Sequence, residues 1–206
     1  MKENIYFRIL KIYNNNNKFS FILKNLLDKV LRLEIDKKIY NLEPKDDIQT
    51  EIIDSINITI NIIEEDLSFD INLSHYKNKN YGFDGDCQVE TKNKPLKISQ
   101  VNKGDLILDS NGDNLLVKNV IVSVVDKNNK LILINKSKCG MNLPYSNLIM
   151  SIKNNLKIKK VTLKGRSLFL NGKAEVFYFD DKYLLYSLET EGKNDFLLNG
   201  FIVESI

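Results

Sequence analysis

The sequence is poor in residues that several common protein classes require. Its 206 residues include no Trp, three Pro, one Ala (Ala174), two Cys and one His. Because Ala is the best helix former and packs closely, its near absence argues against a helical bundle. A structural zinc site usually takes four Cys or His ligands, so two Cys and one His nearly exclude one. Two Cys also exclude a dense disulfide scaffold and suit a reducing compartment.

The sequence also lacks a bias of charge and a long apolar run. Thirty Lys and Arg stand against 27 Asp and Glu, a net charge of +3, with both signs interspersed. This is not the basic footprint of a nucleic-acid-binding protein. The first ten residues are too polar for a signal peptide, and no apolar run is long enough to span a membrane. We therefore expect a protein that is not secreted, spans no membrane and binds no nucleic acid.

Short runs of β-branched and Leu residues, separated by polar residues, are abundant instead. In the first part of the chain, Ile56, Ile58, Ile60 and Ile62 alternate with polar residues, which predicts a strand with one buried face. The segment 22–31 has apolar residues at three-and-four spacing, so a short helix there is an alternative. The pattern as a whole predicts an all-β protein with many hairpins. The clearest strands are predicted at 5–12, 18–23, 30–35, 55–63 and 67–73.

A looser stretch at 74–81 predicts a boundary between two domains. It separates a small β-rich module, 1–81, from a second domain, 82–206, where turn signals recur more regularly. Asn111-Gly112 and Asn171-Gly172 are the strongest hairpin signals, because a type I′ turn needs positive φ at both central residues. Asn199-Gly200 is a further turn signal.

Four segments of the second domain carry recognisable motifs in a fixed order. The segment 82–91 reads GFDGDCQVET, and 97–108 contains a Gly-Asp turn in KISQVNKGDLIL. The segment 142–154 reads NLPYSNLIMSIKN, and the end of the chain combines YSLE at 186–189 with NGFIVES at 199–205. In this order and spacing, 82–206 resembles the Hint domain, which hedgehog autoprocessing domains and inteins share. The resemblance implies a curled β-fold with pseudo-twofold symmetry.

The Hint family's chemistry also comes with this resemblance. A Hint domain attacks the carbonyl before its first Cys with that thiolate, while a His protonates the leaving amine. In this sequence the nucleophile position is Gly82 and the His position is Asn154. Gly has no nucleophile, and a neutral Asn does not shuttle protons. We therefore expect a degenerate, catalytically inactive member of the family, with no cofactor, no metal and no small-molecule substrate.

Two Cys, one His and several charged residues are further candidates for a catalytic or metal-binding site. Cys87 is interpreted as a small buried residue that packs beside apolar neighbours. In the alternative, it is a shifted nucleophile, and the chain cleaves itself before residue 87. Cys139 is interpreted as a loop residue and His75 as a solvated linker residue. The acidic clusters Glu64-Glu65-Asp66, Asp46-Asp47 and Asp180-Asp181 lack the ligand spacing of a calcium loop and are interpreted as solvated turn charges. Lys157, Lys159 and Lys160 are interpreted as a polar face.

The sequence thus predicts a non-enzymatic structural protein. Its excess of Asn (27 residues), Ile and Lys is typical of an AT-rich coding genome. Together with the form of the segment 142–154, this bias predicts a minor capsid or virion-associated component of a large DNA virus. The expected partners are other proteins of an assembly, such as capsid proteins, and the expected location is the virion or the host cytoplasm. The alternatives are an autoprocessing enzyme and an adaptor that binds a peptide strand.

Overall fold

The structure, a computed structural model, describes residues 6–15, 18–55, 57–74, 81–140, 142–158 and 160–206. Its contacts divide the chain into two compact units, Met1–Lys79 and Asn80–Ile206. Both units consist mainly of strands, so the predicted all-β class is confirmed. Among the described residues, no helix is long and apolar enough to cross a membrane.

The first unit contains two antiparallel sheets. One has the strand order β1-β2-β5 and the other β4-β3-β6-β7. Ile58, Ile60 and Ile62 are buried on one face of β6, as their alternation predicts; Ile56 lies outside the described residues. The strands are β1 (Phe7–Asn15), β2 (Lys18–Asn25), β3 (Leu31–Ile35), β4 (Lys38–Leu42), β5 (Asp47–Gln49), β6 (Asn57–Ile62) and β7 (Leu67–Asn72).

The alternative of a helix at 22–31 is wrong. Residues 22–25 belong to β2, whose side chains alternate between buried and half-buried, and residues 26–30 form a loop before β3. The buried amide of Asn25 holds this loop. Its Nδ2 donates to the carbonyl oxygens of Lys29 and Leu42, both at 2.9 Å, and its Oδ1 accepts from the N–H of Leu27 at 2.8 Å. The three-and-four spacing therefore arises from a strand followed by a turn.

The second unit also contains two main sheets. One runs β17-β13-β14-β8-β18-β12, with β11 paired to β12, and the other runs β10-β9-β19-β20-β15-β16. The long strands of the first sheet are β12 (Asn114–Asp126) and β18 (Lys182–Thr190). The other strands are β8 (Phe83–Asp84), β9 (Gln88–Val89), β10 (Leu96–Lys97), β11 (Leu106–Leu108), β13 (Leu131–Ile134), β14 (Leu148–Ser151), β15 (Asn155–Ile158), β16 (Val161–Lys164), β17 (Glu175–Phe177), β19 (Phe196–Leu198) and β20 (Phe201–Val203).

The turns of the second unit differ from prediction in type. Asn171-Gly172 ends a short helix, α1 (Gly165–Leu170), and does not close a hairpin. Asn111-Gly112 does lie between β11 and β12, but only Gly112 has positive φ, at 87°, so the turn is not type I′. The Asp109 carboxylate organises it by accepting from the N–H groups of Asn111 at 2.7 Å and Asp113 at 2.9 Å. The predicted turn chemistry occurs instead at Asn199-Gly200, between β19 and β20, where φ is 48° and 82°.

Candidate functional site

Gly82 and Asn154 lie in hydrogen-bond contact although 72 residues separate them. Gly82 immediately precedes β8, which is paired with both β14 and β18. Asn154 lies in the turn that joins β14 to β15. The Gly82 N–H donates to Asn154 Oδ1 at 2.9 Å, and the Ser151 N–H donates to the Gly82 carbonyl oxygen at 3.1 Å. The sheet thus brings together the two positions that the family resemblance singles out.

The peptide bond before Gly82 meets a hydroxyl group. Ser187 Oγ, on β18, donates to the Tyr81 carbonyl oxygen at 3.0 Å. Tyr81, Asn154 and Ser187 line a cleft of about 160 Å³ together with the chain-terminal residues Glu204 and Ile206. Tyr81 and Phe83, the two chain neighbours of Gly82, both line this cleft.

The backbone around Gly82 leaves no room for a side chain. Its φ is +149°, a conformation that L-residues other than glycine rarely adopt. A Cβ atom at this position would lie 2.7 Å from the Tyr186 carbonyl oxygen and 2.9 Å from Ser187 Oγ. Backbone on β18 therefore occupies the place where a nucleophilic side chain would begin.

Cys87 is buried and is not among the residues that line this cleft. It lies in the turn between β8 and β9 and is 1% exposed. Burial, more than the nearby Asp84 carboxylate, raises the pKa of its thiol from 9.0 to about 12. Its Sγ is 3.9 Å from the Ile149 carbonyl oxygen. Because the thiolate is the reactive form, a protonated and inaccessible thiol is a poor nucleophile.

The remaining candidates do not converge on one site. Cys139 is partly exposed in the turn that follows β13, and both cysteines are free thiols. Burial raises the pKa of Cys139 as well. His75 and Lys159 lie outside the described residues. Among the residues that are described, no three His, Cys, Asp or Glu side chains lie close enough to share a metal ion.

The charged candidates form local ion pairs. Glu64 and Glu65 pair with Arg32 and Lys29 at 3.5 and 3.2 Å, which is a surface arrangement. Lys157 contacts two carboxylates at the cleft, Asp195 at 2.9 Å and Glu204 at 3.0 Å. These contacts raise the pKa of Lys157. The second pair holds Glu204 beside the cleft.

Two polar contacts of this region were missed by sequence reasoning. The role of Ser187 has no local signal, because a serine within a strand is common; only the pairing of Phe83 with Tyr186 places Ser187 beside Tyr81. Asp84 accepts a hydrogen bond from the Tyr183 hydroxyl group. Burial, and next this bond, raise the pKa of Tyr183. The bond joins β18 to β8, which directly follows Gly82.

The chain matches no known family model and no curated protein. Among solved structures it is similar to the gp41-1 intein at 20% identity, covering 60% of this chain and 97% of that chain, with a TM-score of 0.44. A triple variant of that intein has 18% identity, 60% and 98% coverage, and a TM-score of 0.41. A variant of the MchDnaB-1 intein has 9% identity, 61% and 100% coverage, and a TM-score of 0.44. These likenesses concern the fold alone.

Proposed function

We propose that this chain is a non-enzymatic structural protein whose Hint-like unit has lost autoprocessing and serves as a binding scaffold. The observation that carries the proposal is the contact of Gly82 with Asn154 in a cleft where the backbone excludes a side chain at residue 82. Both halves of the acyl-transfer machinery are then missing from the place where they would act.

The nucleophile is the first missing half. An N-to-S or N-to-O acyl shift needs a thiol or hydroxyl on the residue whose nitrogen is the leaving group. That residue here is Gly82, which has none. The hydroxyl of Ser187 is close to the Tyr81 carbonyl, but it donates its proton to the carbonyl oxygen at 3.0 Å. This contact polarises the carbonyl and supplies no attacking group.

The proton donor is the second missing half. Breaking the Tyr81–Gly82 bond requires a proton on the Gly82 nitrogen. Asn154 presents its carbonyl oxygen to that nitrogen, because the Gly82 N–H is itself the donor of the 2.9 Å bond. An amide oxygen accepts hydrogen bonds and has no proton to give. The arrangement therefore stabilises the intact peptide bond.

The alternative of self-cleavage through Cys87 finds little support in the surroundings of that thiol. A shifted nucleophile needs a low pKa and access to solvent. Cys87 is 1% exposed, and its pKa is raised to about 12. Its position within the turn after β8 suits packing, since a free Cys behaves as a small hydrophobic residue.

We extend the proposal to the partners of this scaffold. The Asn-rich, Lys-rich composition and the motif at 142–154 suggest a component of a large DNA virus, bound to other proteins of the virion such as the capsid. The recombinant protein is mixed with the dissociated proteins of the virus particle, which are then allowed to reassemble. In a sedimentation experiment, the recombinant protein should move with the reassembled particles. A protein that remains monomeric alone and stays out of every assembly would count against this part of the proposal.

Intact-mass spectrometry tests the loss of processing directly. Protein purified without reductant, and then incubated with dithiothreitol, should give one species near 23.8 kDa under both conditions. Fragments cut before Gly82 or Cys87 would contradict the proposal. If fragments appear, Cys87→Ala and Ser187→Ala identify their source, because each removes one side chain that carries a thiol or hydroxyl group.

A further inference from the structure

A second and larger groove lies in the unit Asn80–Ile206. It has a volume of about 940 Å³ and is formed by the β12–β13 hairpin, the turn after β14, α1 and the segment that follows β17. Its lining residues are not those of the Gly82 cleft, except for Lys153 and Asn155 at the edge. We call it the basic groove.

The charges of the basic groove have one sign. The ionisable side chains of its rim are all cationic, and none makes an ion pair with a carboxylate of the described residues. Glu175, on the adjacent strand, is not part of the lining and accepts from Asn135 Nδ2 at 2.9 Å. Five cations that line one groove and form no ion pair within the described part of the chain favour an anionic partner, although the Asp126 carboxylate lies beside the lining, where it accepts from Asn129 Nδ2 at 3.0 Å. The cations are Lys127, Lys130, Lys153, Lys164 and Arg166.

The floor of the groove is apolar and partly exposed. Leu131 and Ile132 of β13 form its base, where they are buried. Leu170 is 70% exposed and Tyr178 is 85% exposed, although both are large apolar side chains. Clustered exposure of this kind marks an interaction surface. The lining also contains four aromatic side chains, Phe169, Phe177, Tyr178 and Phe179. Because aromatic faces accept nucleobases as well as apolar side chains, the floor alone does not select a peptide, and the choice depends on the adjacent strand edge.

The groove also runs along a sheet edge. β17 is the terminal strand of its sheet and pairs with β13 through Leu131 and Phe177. Among the strands of the described residues, none pairs with the opposite edge of β17. A free edge offers N–H and C=O groups to an added strand, and pockets along it select alternate side chains.

We propose that the basic groove binds an acidic peptide segment of a partner protein, added as a strand along β17. The partner's backbone pairs with β17, its apolar side chains fill the floor beside Leu170 and Tyr178, and its carboxylates face the cationic rim. The basic groove is separate from the Gly82 position. Binding of an acidic peptide there therefore does not depend on whether the chain cleaves itself.

Fluorescence anisotropy with a labelled peptide tests the proposal on the full chain. The probe is a short peptide in which glutamate alternates with isoleucine, which places acidic and apolar side chains on opposite faces of a strand. We expect saturable binding to the full chain. Replacing glutamate by lysine in the peptide should abolish binding, and N-methylation of alternate amides should do so too, since it removes the backbone donors of strand addition.

Charge reversal in the protein gives the matched comparison. Lys130→Glu with Arg166→Glu should weaken binding by about tenfold or more, because two attractive contacts become repulsive. Lys92→Glu with Lys94→Glu makes the same change of net charge at exposed positions away from the groove and should leave binding unchanged. Leu170→Ser, which keeps the charges, should also weaken it. Thermal melting of each variant shows whether it is folded.

Several outcomes would overturn the proposal. Absence of binding by the glutamate peptide, equal binding of the lysine peptide, or equal loss in both charge-reversed variants would each do so. Tighter binding of oligothymidine would assign the groove to single-stranded nucleic acid. Tighter binding of laurate would assign it to a fatty acid, an anionic amphiphile that needs no free strand edge.

Discussion

The backbone N–H of Gly82 donates a hydrogen bond to Asn154 Oδ1 at 2.9 Å. In the acyl shift of a Hint domain, this nitrogen is the leaving group and the facing side chain supplies its proton. Here the facing atom is an acceptor, so the bond holds the nitrogen in its amide form. Under the proposed function, this contact replaces the proton donor that an active Hint domain would have there.

Restoring the family residues should not restore cleavage. Gly82→Cys places a Cβ 2.7 Å from the Tyr186 carbonyl oxygen, and overpacking of this kind costs about 1–3 kcal/mol. We expect Gly82→Cys, alone or with Asn154→His, to lower the free energy of unfolding in urea and to give one intact mass with dithiothreitol. Gly82→Ala is the control, since it adds the same Cβ without a thiol. Thiol-dependent cleavage before residue 82 in the double variant would contradict this expectation.

The thiol of Cys87 should make stability depend on alkaline pH. Its pKa is raised in the folded protein from 9.0 to about 12, so the unfolded chain loses this proton first as pH rises. The contribution is complete below pH 9.0 and is lost as the pH approaches 12, with a slope of about 1.4 kcal/mol per pH unit. Urea unfolding of wild type and Cys87→Ala between these limits isolates the slope.

Cys139→Ala is the comparison for that experiment. The pKa of Cys139 is also raised by burial, but only that of Cys87 is raised to about 12, so Cys139→Ala should remove less of the pH dependence than Cys87→Ala. A thiol reagent gives an independent check. Cys139 is partly exposed and should react in the native protein, whereas Cys87, 1% exposed, should react after unfolding. Fast labelling of Cys87 in the native state would show an open, reactive thiol and would favour the autoprocessing alternative.

Asn25 should be among the most sensitive polar positions of the first unit. It is fully buried, and its amide bonds the loop after β2 to the end of β4. Asn25→Ala leaves buried carbonyl groups without a donor, a change that costs about 3 kcal/mol. Asn25→Asp should cost more, because a carboxylate would face the carbonyl oxygens of Lys29 and Leu42. Asn41→Ala, at an exposed position of β4, is the control and should change stability little.

Chemical denaturation of the full chain measures these differences. Hydrogen exchange then assigns them to a unit, since only amides near β2 and β3 should lose protection. Equal stability of Asn25→Ala and Asn41→Ala would show that solvent replaces the lost bonds and that the loop is not held by the Asn25 side chain.

Strands were more predictable from the sequence than the helix and the turns. Alternation of Ile with polar residues identified β6, because a half-buried strand repeats every two residues. The segment 22–31 was ambiguous, since its apolar residues fit either period and the bonds of the Asn25 side chain decide between them. The helix α1 has six residues with no capping side chain at Lys164, so no start signal was available.

The candidate site was also predictable only in part. The positions of Gly82 and Asn154 followed from motif order, and the sheet places them in contact. The crowding at Gly82 did not follow, because it depends on the backbone of β18, more than 100 residues away. The basic groove was missed for the same reason. Its cations come from separate segments, including β16 and α1, and each on its own is an ordinary surface residue.

Asn199 should be more important than any other Asn-Gly turn residue of the second unit. It is 1% exposed with a positive φ, and its Oδ1 accepts from the Gln88 N–H at 2.6 Å. Asn199→Gly keeps the backbone conformation and loses this bond, which costs about 1–2 kcal/mol. Asn199→Ala loses the bond and adds left-handed strain of about 1 kcal/mol more.

Asn111→Ala is the matched control, because Asn111 is exposed and its φ is not positive. We expect its effect on the free energy of unfolding to stay within about 0.5 kcal/mol. We therefore expect wild type and Asn111→Ala to be equally stable, Asn199→Gly to be less stable, and Asn199→Ala to be the least stable. If Asn199→Gly matched wild type, the contact with Gln88 would contribute nothing and the turn would owe its stability to backbone conformation alone. If Asn199→Gly and Asn199→Ala were equal, the positive φ would carry no strain and the side-chain bond would account for the whole effect.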